Sequence, residues 1–226
     1  MNGSERLVVG LDATRGGWVA VVLRGSRFAA AARLSSAGAA LSTWPGLEGL
    51  GIDIPIGLFD ARRDADTLAR KALGKRGSTV FPAPSAAAIA CDTYAEANAA
   101  HRAALGVGLS KQSYMLRERI LDAARVAGDA RVMEVHPELV FARLAGEPLP
   151  PKKCWDGQRA RTRVLAARGV VLPEELGDAG TAPTDDVLDA AAAAIGAADR
   201  LDGVGRCFPD PPTQHDPSGR AIVVHG

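Results

Sequence analysis

Asp12, Asp53 and Glu134 each close or interrupt an apolar run, in VGLDATRGGW, GIDIPIGL and VMEVHPE, while Asp185, Asp186 and Asp189 open the alanine-rich stretch TDDVLDAAAAAIGAADR. A carboxylate inside a buried strand costs several kcal/mol unless it is paired, protonated or set against a cation. Taken singly, each acid has an ordinary reading. Asp12 before ATRGG suits a turn, and Asp53 or Glu134 is satisfied by an arginine or a backbone donor. Asp185 and Asp186 lie in the first turn of the helix that Thr184 is expected to cap after Pro183, where the helix dipole favours negative charge. Asp189 fits that scheme less well, because spacings of three and four residues bring it beside Asp186 and Asp185 on one helix face. Like charges gathered there call for a positive partner. Magnesium or manganese would supply one, because such hard ions take carboxylate oxygens and serve phosphodiester cleavage.

The elements that must position these acids follow from the pattern of apolar runs and turns. LVVGLD, WVAVVLR and RFAAAAR are joined by connections containing Gly16, Gly17 and Gly25, which predicts three antiparallel strands. A brief helix near 36–43 precedes GLGIDIPIG, whose unbroken apolar character predicts a strand covered on both faces. A helical insertion at about 60–128 follows. Within it Thr93 and Glu96 form a capping box and Gly106 ends the helix, and apolar residues at helical spacing run from Leu116 toward Gly128. RVMEVHPE predicts a fifth strand, followed by helices at about 156–168 and 184–200, and a tail at about 207–226 carries four prolines and the short strand candidate AIVVHG. Helical crossovers make the first, fourth and fifth strands parallel neighbours in a mixed five-stranded α/β sheet. The expectation is one domain spanning 1–226. Ligands of such sheets bind beyond the carboxyl ends of the parallel strands, where Asp12, Asp53 and Glu134 are expected.

That order of strands and acids resembles the ribonuclease H-like fold. The segments VGLDATRGGW, GIDIPIGL, GSTVFPAP, MEVHPELVFARLAGEPL and TDDVLDAAAAAIGAA resemble the motifs of the DUF429 family, described as predicted nucleases of that fold. The resemblance covers residues from about 7 to 200. The ending is similar to that of Holliday-junction resolvases of the RuvC type, in which two aspartates three residues apart on the last helix complete a metal site. Carried over, the resemblance implies Asp12, Asp186 and Asp189 as ligands of magnesium or manganese, with Asp53 and Glu134 completing the catalytic set as further ligands or orienting groups. It implies a metal-dependent nuclease. Two alternatives stand beside it: a non-catalytic binding module that retains the fold, and a phosphotransferase of the actin and sugar-kinase type, suggested by VGLDATRGG. The phosphotransferase needs two such domains around a nucleotide, which 226 residues hardly accommodate.

Composition narrows the partners without naming one. The formal charge is only +1, so electrostatic attraction to nucleic acid has to come from local patches. Two segments qualify. Lys75 and Arg76 beside Ser78 and Thr79 suit a phosphate, or a turn that positions Phe81 and Pro82. KKCWDGQRARTR, with Lys152, Lys153, Arg159 and Arg161, suits a nucleic-acid backbone with Trp155 stacking a base, or a solvated helix. His136 either assists proton transfer or merely ends its strand before Pro137, and Trp18 reads as core. The cysteines, three in number and without CxxC spacing, indicate neither disulfides nor zinc. With no signal-like run in MNGSERLVVG and no apolar stretch near the roughly 20 residues of a membrane span, a cytoplasmic location without a membrane partner is expected.

Overall fold

The hairpin signals mature into strands β1 (Leu7–Thr14), β2 (Gly17–Arg24) and β3 (Arg27–Leu34), which pair antiparallel through turns at Gly16 and Gly25, both at positive φ. The structure is a computed structural model and describes residues 5–226. Residues 1–4, which begin the segment read as lacking an export signal, lie outside it. Helix α1 (Ala37–Thr43) leads to β4 (Gly49–Ile52), and β5 (Val132–Glu134) completes the sheet in the order β3-β2-β1-β4-β5. β1 pairs with β4, and β4 with β5, in parallel. Strand order and direction are those expected, with one trim: β4 stops at Ile52, and Asp53 is the first residue beyond it, its amide bonded to the Leu11 carbonyl at 2.9 Å.

Between β4 and β5 lies the helical insertion: α2 (Asp64–Ala72), a 3-10 helix (Gly74–Thr79), α3 (Ala86–Ile89), α4 (Tyr94–Leu105), α5 (Lys111–Met115) and α6 (Arg117–Ala124). The capping box of Thr93 and Glu96 forms, and Gly106 ends α4 in the left-handed conformation. After β5 the chain runs into α7 (Pro137–Ala145), then α8 (Trp155–Ala167) and α9 (Thr184–Leu201). α7 is an addition to the expected elements. Thr184 does not cap α9: Pro183 holds the cap position and no side chain closes the helix end there. β6 (Cys207–Phe208) pairs with β7 (Val224–His225), which falls within the strand candidate AIVVHG.

Period-two alternation divides the sheet between two cores. Val8, Val19, Val21 and Leu23 meet α7, α8 and α9, whereas Val9, Leu11, Trp18, Ala20 and Val22 face α1 and α6. Trp18 is wholly buried, and its indole N–H donates to Asp122 Oδ2 at 2.7 Å.

The alanines of α9 have a specific use. A Cβ on Gly10 would overlap the carbonyl of Ala190, and one on Gly51 the carbonyl of Ala193, so the helix lies on β1 and β4 at backbone contact. Gly10 and Gly51 are partners in the parallel register. Side chains of a strand alternate between faces, so Asp12 and Asp53, each two residues beyond its glycine, come out side by side toward α9.

Candidate carboxylate centre

α9 places Asp189 one residue before Ala190, against the ends of β1 and β4. Asp12, Asp53 and Asp189 each bring a carboxylate oxygen within 4.8 Å of the others. Asp189 is 1 % exposed and Asp12 7 %, while Asp53 keeps partial access through the cavity above. Asp186, expected among the ligands, lies a turn earlier on α9, half-buried at the rim of the cavity, and is not one of the clustered three. Asp185 also borders the cavity.

Mutual repulsion and burial leave their mark on protonation. Burial, then Asp53 and Asp189, push the Asp12 carboxyl well above the usual range. Burial raises Asp53 and Asp189 to about 7, against the pull of the Lys152 ammonium. Burial, and after it Asp185, raise Asp186 against the pull of Lys152 and Lys153.

The positive partner among the described residues is Lys152, whose Nζ donates to Asp189 Oδ2. Burial disfavours its charge, yet Asp189, Asp12 and Asp53 together hold it protonated far beyond neutral pH. Lys152 was expected on a nucleic-acid surface and instead reaches into the acid cluster. Arg161 sets that reach. It was expected to touch nucleic acid, but it is fully buried: its guanidinium bonds Glu138 and donates to the carbonyls of Pro150 at 2.8 Å and Gly157 at 2.9 Å. A helical spacing of arginines cannot reveal that one of them turns inward to a carboxylate on another helix. Arg161 thus anchors the loop that carries Lys152.

Glu134 takes a structural place. Its Oε2 accepts from Arg63 Nη2 at 2.5 Å and from the Ile56 amide at 2.7 Å. Burial pushes its carboxyl up to about 7, and Arg63 and the Ile56 amide pull it down. Arg63 also lies 3.2 Å from Asp66, whose carboxylate accepts the Ala83 amide at 2.7 Å. The buried charge expected to turn to a metal is therefore neutralised by an arginine from the insertion. This chain of contacts fastens the segment 76–84 to the sheet edge.

That segment forms one wall of a cavity of about 550 Å³ whose floor is the acid cluster. Of the expected anion-binding residues, Arg76 and Lys153 border it together with Lys152, while Lys75, Ser78 and Arg159 do not. Arg159 instead stacks over the exposed Trp155 ring, 5.7 Å from its centroid. His136 lines the cavity with its Nδ1 buried and unpartnered, and burial lowers its pKa, so the imidazole is neutral at pH 7.

The donors fit a divalent ion. All are hard carboxylate oxygens, and Asp189 Oδ1 is buried with no hydrogen-bond partner although its sister oxygen holds Lys152. The molecule is thus an α/β protein with a buried carboxylate centre at the carboxyl ends of its parallel strands. Over residues 10–214 the chain matches the model of DUF429, described as a protein of unknown function, and it belongs to that family. Neither the curated proteins nor the solved structures hold a significant match to it. Among the described residues no helix is long and apolar enough to cross a membrane.

Proposed function

We propose that the protein is a metal-dependent phosphodiesterase acting on nucleic acid, with magnesium or manganese held by Asp12, Asp53 and Asp189 and with Asp186 alongside. The observation that carries this reading is the convergence of three carboxylates within 4.8 Å, one of them keeping a buried oxygen without a partner. When bound, the ion would stabilise charge on the phosphoryl oxygens and acidify the attacking water. Lys152 and Arg76 would neutralise the rest of the phosphate. Neutral His136 would accept a proton within the cavity. Lys153, which is exposed at the cavity rim, and Trp155 would receive the adjoining strand. The three cysteines are unpaired, which suits the reducing cytoplasm.

Labelled RNA, DNA, hybrid and four-way-junction substrates incubated with manganese or magnesium test the reading. Metal-dependent cleavage that disappears in Asp12→Asn is expected. Absence of cleavage on every substrate, together with a melting temperature indifferent to manganese, would refute it.

The Lys152–Asp189 pair favours a second reading. A site that carries its own cation is already partly neutralised, as suits a non-catalytic module that binds nucleic acid or protein. Nucleic-acid binding at full strength in EDTA, without cleavage, is the result that separates this reading from the first.

A further inference from the structure

The cavity over the acid cluster is lined by two chemically different kinds of group, and they indicate what enters it. Asp12 and Asp189, at its floor, are 7 % and 1 % exposed. A duplex lying on a protein needs an open face on the order of 1,000 Å² or more, whereas these floor carboxylates are almost wholly buried. A volume of about 550 Å³ falls instead in the small-ligand range of about 300–1,000 Å³. One kind is apolar: Phe81, 42 % exposed for all its size, with Pro82, the buried Pro84 and Leu116. The other is cationic: Lys153, and Arg76, which shares the 76–84 wall with Phe81 and whose Nε is buried with no hydrogen-bond partner. His136 Nδ1 is a second buried nitrogen without a partner on the lining.

We propose that the cavity takes one nucleotide unit at a time, its base against Phe81 and the neighbouring prolines, its phosphate between Arg76 and the acid floor. The unit is either a free nucleotide ester or the last nucleotide of a single strand. A base splayed out of a stack offers a flat face to an aromatic ring, and the same geometry lets enzymes reach atoms that a duplex hides. The assignment of the phosphate to the floor rests on the phosphodiesterase reading. The fit of the base to the apolar wall does not.

The test uses the full chain. Thymidine and adenosine 5′-monophosphates are titrated calorimetrically into wild type, Phe81→Ala and Arg76→Ala, with manganese melting curves run on the same three proteins. Both side chains border solvent or the cavity, so the variants fold. Loss of base stacking should weaken binding in Phe81→Ala by about 5- to 150-fold, with the manganese shift unchanged. Cleavage arms separate the sources. Hydrolysis of the p-nitrophenyl ester of thymidine 5′-phosphate alone identifies a free nucleotide ester as substrate. Stepwise release of mononucleotides from a single strand identifies the strand end. Both outcomes support the inference. Nucleotide binding that depends on Phe81 and Arg76 without any manganese shift also supports it, and removes the metal reading. A manganese shift with no nucleotide binding overturns it and leaves the metal reading standing. Nicking of closed circular duplex as fast as single strands are shortened overturns it as well.

Discussion

The metal-free protein should become more stable as the pH is lowered toward slight acidity, the reverse of ordinary acid denaturation. In the folded chain burial holds Asp53, Asp189 and Glu134 at about 7, against about 4 in an unfolded chain. The native state therefore holds more protons than the unfolded state between these values, and stability falls as pH rises through 7. From about pH 8 to about pH 6.5, a group with a folded pKa near 7 contributes about 0.8 kcal/mol, so the three together give about 2.3 kcal/mol, of which the buried histidines take back part and about 1.5 kcal/mol remains. For a chain of this length that corresponds to a rise of about 3–6 °C in melting temperature. That opposition comes from His225, lowered to about 4 by burial, and from His136 and His101, also lowered by burial; it grows below their unfolded value of about 6.5 and closes the window there. Melting curves in EDTA at the two pH values, for wild type and for Asp53→Asn and Asp189→Asn, measure the effect. Each variant should lose about half the slope. A wild-type melting temperature that is flat or falls on acidification would mean that the carboxylates are ionised despite their burial, and the account of a strained, proton-sharing cluster would be wrong.

Three further outcomes follow from the same geometry. Lys152→Met should melt lower than wild type in EDTA but gain more from manganese, because the ion no longer competes with an ammonium; equal manganese shifts would show that Lys152 and the ion do not share the site. Arg63→Met leaves Glu134 buried without its partner at 2.5 Å and should cost about 3–5 kcal/mol in denaturant unfolding, most of it recovered in Arg63→Met with Glu134→Gln. Gly10→Ala should yield no folded protein by circular dichroism, since the added methyl overlaps the Ala190 carbonyl, whereas Gly219→Ala, at a turn with nothing near its Cβ, should remain folded.

Local chemistry made much of the fold legible. Glycine turns at Gly16 and Gly25, the capping box at Thr93 and the stop at Gly106 act over a few residues, and each forms as its residues dictate. α7 carries the same kind of punctuation, with Pro137 at its start and Gly146 left-handed at its end. It escapes notice because β5 passes into it through two residues, with no loop composition to mark the change. At the site, the spacing of Asp186 and Asp189 reveals a shared helix face but not how deeply the helix sinks, which decides that Asp189 is buried while Asp186 stays at the rim. A signal for that depth exists in the repeated GLD and GID, where a glycine two residues before an aspartate marks close approach of a helix. Lys152, Arg161 and Arg63 find partners 37, 23 and 71 residues away. Such pairings depend on tertiary geometry, and a basic segment read alone looks like a solvated surface.

The contact of α9 with Gly10 and Gly51 also divides the labour of the molecule. Backbone resting on backbone leaves no side chain whose exchange could widen or narrow the gap, so the spacing of Asp12, Asp53 and Asp189 is insulated from drift elsewhere in the core. The residues that would meet a substrate's variable parts, Phe81, Pro82, Pro84, Gln112 and Lys153, belong to other segments of the chain. Relatives that differ there would inherit the same charge centre with a differently shaped entrance. On the proposed function, chemistry and selectivity would then be separately mutable, and a new specificity would be reached by changing the entrance without reopening the question of how the acids are held.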